Sequence, residues 1–187
     1  MKNFETFGTK IEGVQIHERK KFTDDRGYFS VLHDKNDGKV YVQENESLSY
    51  KNVLRGLHYQ SFPKQGKFVS VVYGSIFDVI VDLRRDSRTF KKWFGVWLDD
   101  SKSIYVPEYC AHGFFAETKS LIHYNVTGSY CARNEMGIIW DDPEIGIEWP
   151  KTKDLIISEK DLQNKPLSYW KDQLPLCKQL QMFNEFC

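Results

Sequence analysis

Apolar and polar residues alternate along most of this chain in short runs, the pattern of β-strands that have one face in a core. Turn-forming residues separate the runs, and few helical stretches lie between them. The predicted strands are Lys39–Gln43, Phe68–Tyr73, Ile76–Leu83, Trp93–Leu98, Ser103–Val106, Gly113–Glu117 and Leu121–Thr127. Gly74-Ser75 suits a two-residue turn, which predicts that the strands on either side of it pair as a hairpin.

Many short strands without intervening helices favour an all-β sandwich or barrel over an alternating α/β fold. Aromatic residues make up 15% of the chain, enough to fill the space between two sheets. We therefore predict an antiparallel jelly roll. After Trp149-Pro150 the spacing becomes helical around Ser158–Asp161 and over Ser168–Phe186, with a break at Pro175, so short helices should pack on the barrel.

The length and the charge balance of the chain limit the classes of protein to which it can belong. The chain has 187 residues, which suits one domain, and 26 basic residues balance 26 acidic ones, so no overall field attracts nucleic acid or a membrane. We find no apolar run of about 20 residues and no signal peptide, and expect a cytoplasmic protein. The cysteines are widely spaced, which predicts reduced thiols at Cys110, Cys131, Cys177 and Cys187.

Three cationic or basic side chains, Arg55, His58 and Lys67, fall within one apolar, strand-like context. Burial of charge is costly unless a partner compensates, so this segment predicts a pocket for an anionic ligand. On a regular strand Arg55 and His58 point to opposite faces, and only a bulge at Gly56 would let them share a pocket. His58 could act as a base if a carboxylate holds its tautomer.

Other polar residues have both a structural and a functional interpretation. His112 could be a ligand donor at a barrel rim, but the chain has no His-x-His pair, which disfavours a metal site. Tyr124 is either a core residue or an acid that faces His58. Asp161 follows Ser158 by three positions and could simply support the start of a helix.

Two further segments have open interpretations. Arg26 and Phe29 either lie in a plain surface hairpin or bind a ligand, with the arginine on a phosphate and the aromatic ring stacked on a base. Gln43 and Asn45 share one strand face, where they would meet either a sugar or water.

Six blocks, in order, carry a family resemblance: VLRGLHYQ, QGKFV, FDVIVDLR, SRTFKKWFGVWL, YVPEYCAHGFF and IGIEWP. Together they resemble the dTDP-4-keto-6-deoxyglucose 3,5-epimerase family of nucleotide-sugar enzymes, up to about Asp161. The resemblance implies a cupin-type jelly roll and catalysis without a metal or a coenzyme. It also implies a homodimer in which an amino-terminal strand crosses to the partner.

The same resemblance implies roles for individual residues. His58 would be the general base, Asp161 its partner, Tyr124 the acid and Lys67 the group that holds the enolate oxygen. The implied reaction inverts C3, C5 or both in a nucleotide-diphosphate 4-keto sugar. The residues implied to bind the sugar or the diphosphate are Arg26, Phe29, Gln43, Asn45, Arg55, His112 and Tyr130.

One departure from the family pattern keeps the substrate open. Many members have a glutamate two residues after the block that reads Arg26-Gly27-Tyr28-Phe29 here, whereas this chain continues with Ser30-Val31. The expected substrate is therefore dTDP-4-keto-6-deoxyglucose or a GDP-linked 4-keto heptose of capsule synthesis. The alternatives are a 3,4-ketoisomerase of the same fold and a non-catalytic nucleotide-sugar binding protein.

We expect one domain in three parts. Residues 1–50 would form amino-terminal strands that exchange between subunits, residues 51–150 the barrel core, and residues 151–187 a helical tail.

Overall fold

A computed structural model describes residues 6–34 and 37–176 of the chain, and this part is built mainly from β-strands. The strands are β1 (Thr6–Gly8), β2 (Gln15–Glu18), β3 (Lys21–Asp24), β4 (Gly27–Ser30), β5 (Gln43–Ser49), β6 (Val53–Gln60), β7 (Lys67–Tyr73), β8 (Ile76–Asp82), β9 (Trp93–Leu98), β10 (Lys102–Val106), β11 (Cys110–Ala116), β12 (Ser120–Val126), β13 (Glu135–Gly137) and β14 (Ile156–Ile157). The helices are α1 (Glu159–Leu162) and α2 (Leu167–Trp170), with a 3₁₀ turn at Ala132–Asn134.

The strands form two facing sheets and one separate hairpin. The first sheet has the order β1-β9-β8-β11-β6-β13, with β14 parallel beside β6, and the second has the order β2-β10-β7-β12-β5. The hairpin is β3-β4. All pairs except β14 with β6 are antiparallel, and successive strands alternate between the two sheets from β5 to β8 and again from β9 to β13. The predicted antiparallel jelly roll is confirmed.

Two apolar clusters lie on opposite faces of the first sheet. One fills the space between the sheets and includes Val69, Ile80 and Ile122. The other lies under the carboxy-terminal segment and includes Phe77 and Leu167. Because both faces of the first sheet are covered, all seven residues of β8 are buried, which explains its nearly continuous apolar sequence.

The predicted hairpin at Gly74-Ser75 is wrong. Both edges of β7 are already paired, with β10 and with β12, so β8 joins the other sheet, between β9 and β11. Gly74 has a φ of +93°, and the Ser75 amide donates to Thr118 Oγ1 and to Ser120 Oγ. The turn therefore crosses between the sheets.

The predicted strand at Lys39–Gln43 is also wrong for residues 39–42. The regular strand begins at Gln43 and continues through a polar stretch to Ser49 because β12 pairs with it over its whole length. Upstream, Tyr41 turns back so that its hydroxyl donates to Asp37 Oδ2, and its ring contacts Phe68. These contacts replace strand pairing.

The carboxy-terminal segment packs on the barrel but contains less helix than predicted. Helix α2 ends at Trp170, whose indole Nε1 donates to the Gly137 carbonyl. Beyond it the chain turns and extends, which buries Leu174, and the Pro175 carbonyl accepts from the Arg85 amide. The helical prediction over 171–176 is therefore wrong, while 177–186 lies outside the described residues, as do Cys177 and Cys187.

A bulge in β6 decides which side chains enter the barrel. His58 pairs with His112 and Arg55 with Phe114, so two residues, Gly56 and Leu57, lie opposite the single Gly113. The bulge at Gly56, on which a shared pocket for Arg55 and His58 depended, is present. Leu57 joins the outer cluster, while Arg55 and His58 both face the space between the sheets. Side chains three positions apart thus share a face.

No helix in the described ranges is long and apolar enough to cross a membrane.

Gly56→Ala should destabilise the fold by about 2 kcal/mol or more, measured by denaturant unfolding. Gly56 has a φ of +114°, and a Cβ there would lie 2.6 Å from Gly113 Cα. Gly27→Ala is the matched control, since Gly27 has a φ of +129° and nothing within 4 Å of the added carbon. Equal losses of unfolding free energy in both variants would show that the Gly113 contact is unimportant.

Candidate active site

A cavity of about 160 Å³ opens between the two sheets. Its walls come from β5, β6, β7, β11 and β12, which places polar and charged side chains inside an otherwise apolar barrel. The lining residues are Ser47, Arg55, His58, Lys67, Val69, His112, Gly113, Phe114, Ile122 and Tyr124. The structure thus brings five residues of the sequence prediction together around one space.

His58 is held by the carboxylate of Asp161 on the wall formed by the first sheet. His58 Nε2 lies 2.7 Å from Asp161 Oδ1, and Asp161 Oδ2 accepts from the Gly56 amide at 3.2 Å. The bulge makes this second bond possible, because it leaves the Gly56 amide outside the strand ladder. One carboxylate therefore fixes both the imidazole and the backbone beside it.

Asp161 itself is fixed by the start of α1. Ser158 caps the helix, and its hydroxyl accepts from the Asp161 amide at 3.1 Å. Burial opposes ionisation of the Asp161 carboxyl, but hydrogen bonds from His58 and Gly56 and the positive charge of His58 hold its pKa below the usual range. The residue thus both supports a helix start and presents a carboxylate to His58.

Lys67 and Tyr124 lie on the opposite wall, formed by the second sheet. Tyr124 pairs with Val69 across two adjacent strands, and Lys67 is the first residue of β7. Alternation along β12 puts Ile122 and Tyr124 on the cavity side, as expected. Burial raises the pKa of the Tyr124 hydroxyl, so it stays protonated at neutral pH and can donate a proton.

The Lys67 ammonium is an incompletely compensated cation. Burial lowers its pKa to about 8, although the negative charges of Glu135 and Asp78 act to raise it. Among the described residues no carboxylate lies within 4.0 Å of this ammonium. A cation in this state favours an anionic group placed next to it.

A second histidine, His112, adjoins His58 across the strand pair. Its Nε2 lies 2.7 Å from Asp78 Oδ2, and Asp78 is fully buried on β8. Arg55 is anchored from the other side, where its guanidinium donates to Ser49 Oγ at 3.0 Å and to the Leu48 carbonyl at 3.2 Å. The cavity therefore contains several groups that can hold negative charge.

Polar residues next to the cavity form a connected set. Gln43 Oε1 accepts from the Tyr130 amide, and Gln43 Nε2 donates to Asn45 Oδ1 at 2.7 Å. Glu135 accepts from the Tyr130 hydroxyl at 3.1 Å and from the Lys160 ammonium at 2.6 Å. Burial opposes its ionisation, yet these bonds and nearby positive charges keep the pKa of Glu135 below its usual range.

Arg26 and Phe29 do not reach the cavity of their own chain. They lie in the β3-β4 hairpin, where Arg26 pairs with Asp24 at 2.6 Å and Phe29 is 66% exposed. They line a separate shallow depression with other residues of the hairpin.

The sequence argument missed several residues at or beside the site: Ser47, Asp78, Glu135 and Lys160. Asp78 had a detectable signal, since a carboxylate stands alone in the apolar run Ile76–Val81. Lys160 directly precedes Asp161 in the sequence, but the sequence argument gave it no role. Nothing in the local sequence of Ser47 or Glu135 indicates their positions. Among the described residues no group of three or more His, Cys, Asp or Glu side chains is arranged to hold a metal ion.

Residues 8–169 match the family model for dTDP-4-dehydrorhamnose 3,5-epimerase. The chain belongs to this epimerase family. A family relative from Methanothermobacter thermautotrophicus, named dTDP-4-dehydrorhamnose 3,5-epimerase, is 45% identical over 178 residues, which cover 89% of this chain and 96% of the relative.

Solved structures of epimerases share the cupin-type fold. A 3,5-epimerase from Legionella pneumophila in complex with dTDP-4-keto-L-rhamnose gives a TM-score of 0.86 at 36% identity and covers 93% of this chain and 98% of that one. A 3′-monoepimerase from Streptomyces bikiniensis in complex with dTDP-quinovose gives 0.87 at 26% identity, with 95% and 96% covered.

The Lys67 side chain should titrate with a midpoint near pH 8, so that its positive charge is present below this pH and is lost above it. NMR of protein with ¹³C-labelled lysine would show this, with the Cε signal assigned by its loss in Lys67→Met. Lys160 is the internal contrast, because the carboxylate of Glu135 raises its pKa. A Lys67 midpoint above pH 10 would contradict the assigned environment.

Proposed function

We propose that this protein is a cofactor-independent epimerase that inverts C3, C5 or both in a nucleotide-diphosphate 4-keto sugar, with dTDP-4-keto-6-deoxyglucose as the substrate. The observation that carries the proposal is the two-walled cavity. His58, which is paired with Asp161 of α1, lies on one sheet, and Tyr124 and Lys67 lie on the facing sheet.

The chemistry follows from the ketone. A carbonyl at C4 acidifies the hydrogens on C3 and C5, because removal of either leaves an enolate with its charge on the C4 oxygen. Lys67 supplies a positive charge from a partly dry wall, where it stabilises that oxygen with little reorganisation. Loss of one such donor costs about 100- to 1000-fold in rate.

Inversion requires that a proton leave one face of the ring and return to the other. His58 accepts the first proton, and Asp161 holds its imidazole in orientation and stabilises the imidazolium that forms. Tyr124 then donates from the opposite wall, where its raised pKa keeps the hydroxyl protonated before this step. Base and acid therefore flank the sugar.

The substrate also carries a diphosphate, and Arg55 and His112 provide further groups around the same cavity. Gln43, Asn45 and Tyr130 lie beside it in a hydrogen-bonded set that suits a polar ligand. We assign these five residues to binding.

Arg26 and Phe29 complete the site from a second subunit in this proposal. They are remote from their own cavity, and the hairpin that carries them exposes Phe22, Tyr28 and Phe29, each at least half exposed. An apolar hairpin of this kind favours contact with another protein surface. We infer a homodimer in which the hairpin of one subunit covers the sugar-nucleotide site of the other.

His58→Asn should reduce deuterium uptake into the sugar by about 100-fold or more while nucleotide binding stays close to that of the unaltered protein. The measurement is proton NMR in deuterium oxide with dTDP-4-keto-6-deoxyglucose, and separately with a GDP-linked 4-keto heptose. His123→Asn is the control, because His123 lies on β12 but outside the cavity.

The same assay on the unaltered protein shows which reaction it catalyses. Exchange at C3 and C5 establishes double epimerisation, and exchange at one carbon establishes a monoepimerase. Deuterium uptake only with the GDP-linked heptose would show that the heptose, not the deoxyglucose, is the substrate. Transfer of hydrogen between C3 and C4 would identify a ketoisomerase. No exchange with either sugar, together with tight nucleotide binding, would favour the non-catalytic alternative.

Tyr124→Phe should still allow deuterium exchange, because His58 remains, but should slow inversion by about 100-fold. Comparing the rate of exchange with the rate of product formation separates the two steps. Tyr73→Phe, at an exposed tyrosine on β7, is the control. Inversion at the normal rate would remove Tyr124 from the mechanism.

A further inference from the structure

The backbone before Lys67 is held by side chains from both neighbouring strands. Lys67 pairs with Val106 on β10 and with Val126 on β12, and so begins β7 between their ends. Glu108 follows β10 by two residues, and Thr127 follows β12 directly. The side chains of Glu108 and Thr127 therefore both lie beside Gly66, the residue before Lys67.

A chain of hydrogen bonds links these residues. The Gly66 amide donates to Thr127 Oγ1 at 2.8 Å, and the Thr127 hydroxyl donates to Glu108 Oε1 at 3.1 Å. In return the Thr127 amide donates to the Gly66 carbonyl at 3.0 Å, and the Tyr105 hydroxyl donates to Glu108 Oε2 at 3.0 Å. Since Glu108 takes the hydroxyl hydrogen of Thr127, the lone pairs of that oxygen face Gly66.

Gly66 lies so close to this network that a side chain would not fit between them. A Cβ on Gly66 would lie 2.3 Å from the Tyr105 hydroxyl oxygen and 3.1 Å from Glu108 Cδ. On the other side of the loop, Gln65 Nε2 donates to the Gly128 carbonyl at 2.7 Å. The peptide that leads into Lys67 is thus fixed from both sides.

We propose that Glu108 and Thr127 are positioning residues that set where the Lys67 ammonium sits in the cavity. Neither lines the cavity, so each acts through the Gly66 backbone. The inference rests on the role proposed above for Lys67. A donor that stabilises a developing oxyanion must be held in place before the reaction, and a displacement of about 1 Å costs on the order of 100-fold in rate.

Thr127→Val removes the hydroxyl while keeping the shape, and should lower kcat by about 10- to 100-fold with a smaller change in KM. Thr127→Ser restores the hydroxyl and should stay within about threefold of the unaltered rate. The matched control is Thr118→Val, because Thr118 Oγ1 also accepts from a backbone amide, that of Ser75, at 3.0 Å near the far end of β7. Its kcat should be unchanged.

A double-mutant cycle tests whether Thr127 acts through Lys67. In a Lys67→Met background, Thr127→Val should reduce deuterium exchange by no more than about twofold, because the group it positions is gone. The inference is overturned if Thr127→Val keeps the kcat of the unaltered protein, or if Thr118→Val lowers kcat as much as Thr127→Val does. It is also overturned if Thr127→Val lowers the rate of deuterium exchange in the Lys67→Met background by the same factor as in the unaltered protein. Near-normal activity of Lys67→Met alone would instead overturn the proposed role of Lys67, and the inference with it.

Discussion

The contact between Gly56 and Gly113 is the constraint on which the site depends. It lets β6 hold one extra residue opposite β11, and this changes the alternation so that Arg55 and His58 both face the barrel interior. The same distortion leaves the Gly56 amide free to donate to Asp161, which in turn holds His58. A side chain at either glycine would meet the opposite backbone within 3 Å. One backbone irregularity thus produces both the direction of the His58 side chain and the hydrogen bond that orients Asp161.

The charge of the site is local and is balanced across the two sheets. The chain as a whole is neutral, yet Arg55, His58, Lys67 and His112 surround one cavity. His58 and His112 each have their own carboxylate, whereas in the part of the chain that the structure describes no carboxylate lies within 4.0 Å of the Lys67 ammonium, and burial lowers its pKa. This arrangement costs stability in the free protein, because the charge gives up water without a close partner. It favours a ligand that brings negative charge to Lys67, as an enolate does.

The sequence predicted the class of fold and much of the site, and its errors have physical causes. Alternation indicated most strands because half-buried sheets impose it, but alternation does not say which sheet a strand joins, so the turn at Gly74-Ser75 was assigned to the wrong pairing. The polar stretch of β5 is a strand only because β12 pairs with it. The bulge could be foreseen from Gly56 between Arg55 and His58. The places of Glu135 and Ser47 could not be foreseen, since only tertiary contacts bring these residues to the site.

The division of the site between two sheets suggests how one fold can support inversion at one carbon or at two. The wall that carries His58, the proposed base, is rigid, because Asp161 is fixed by a helix cap and by a backbone amide. On the other wall the hydroxyl of Tyr124, the proposed acid, lies at the end of a single side chain on β12, and which carbon it can reach depends on how the ring is placed. Ring placement depends on the distant nucleotide, and the hairpin with Arg26 and Phe29 is remote from its own cavity. We therefore infer that the number of carbons inverted is governed less by the proposed acid and base than by the contacts that fix the nucleotide, including those proposed across the dimer.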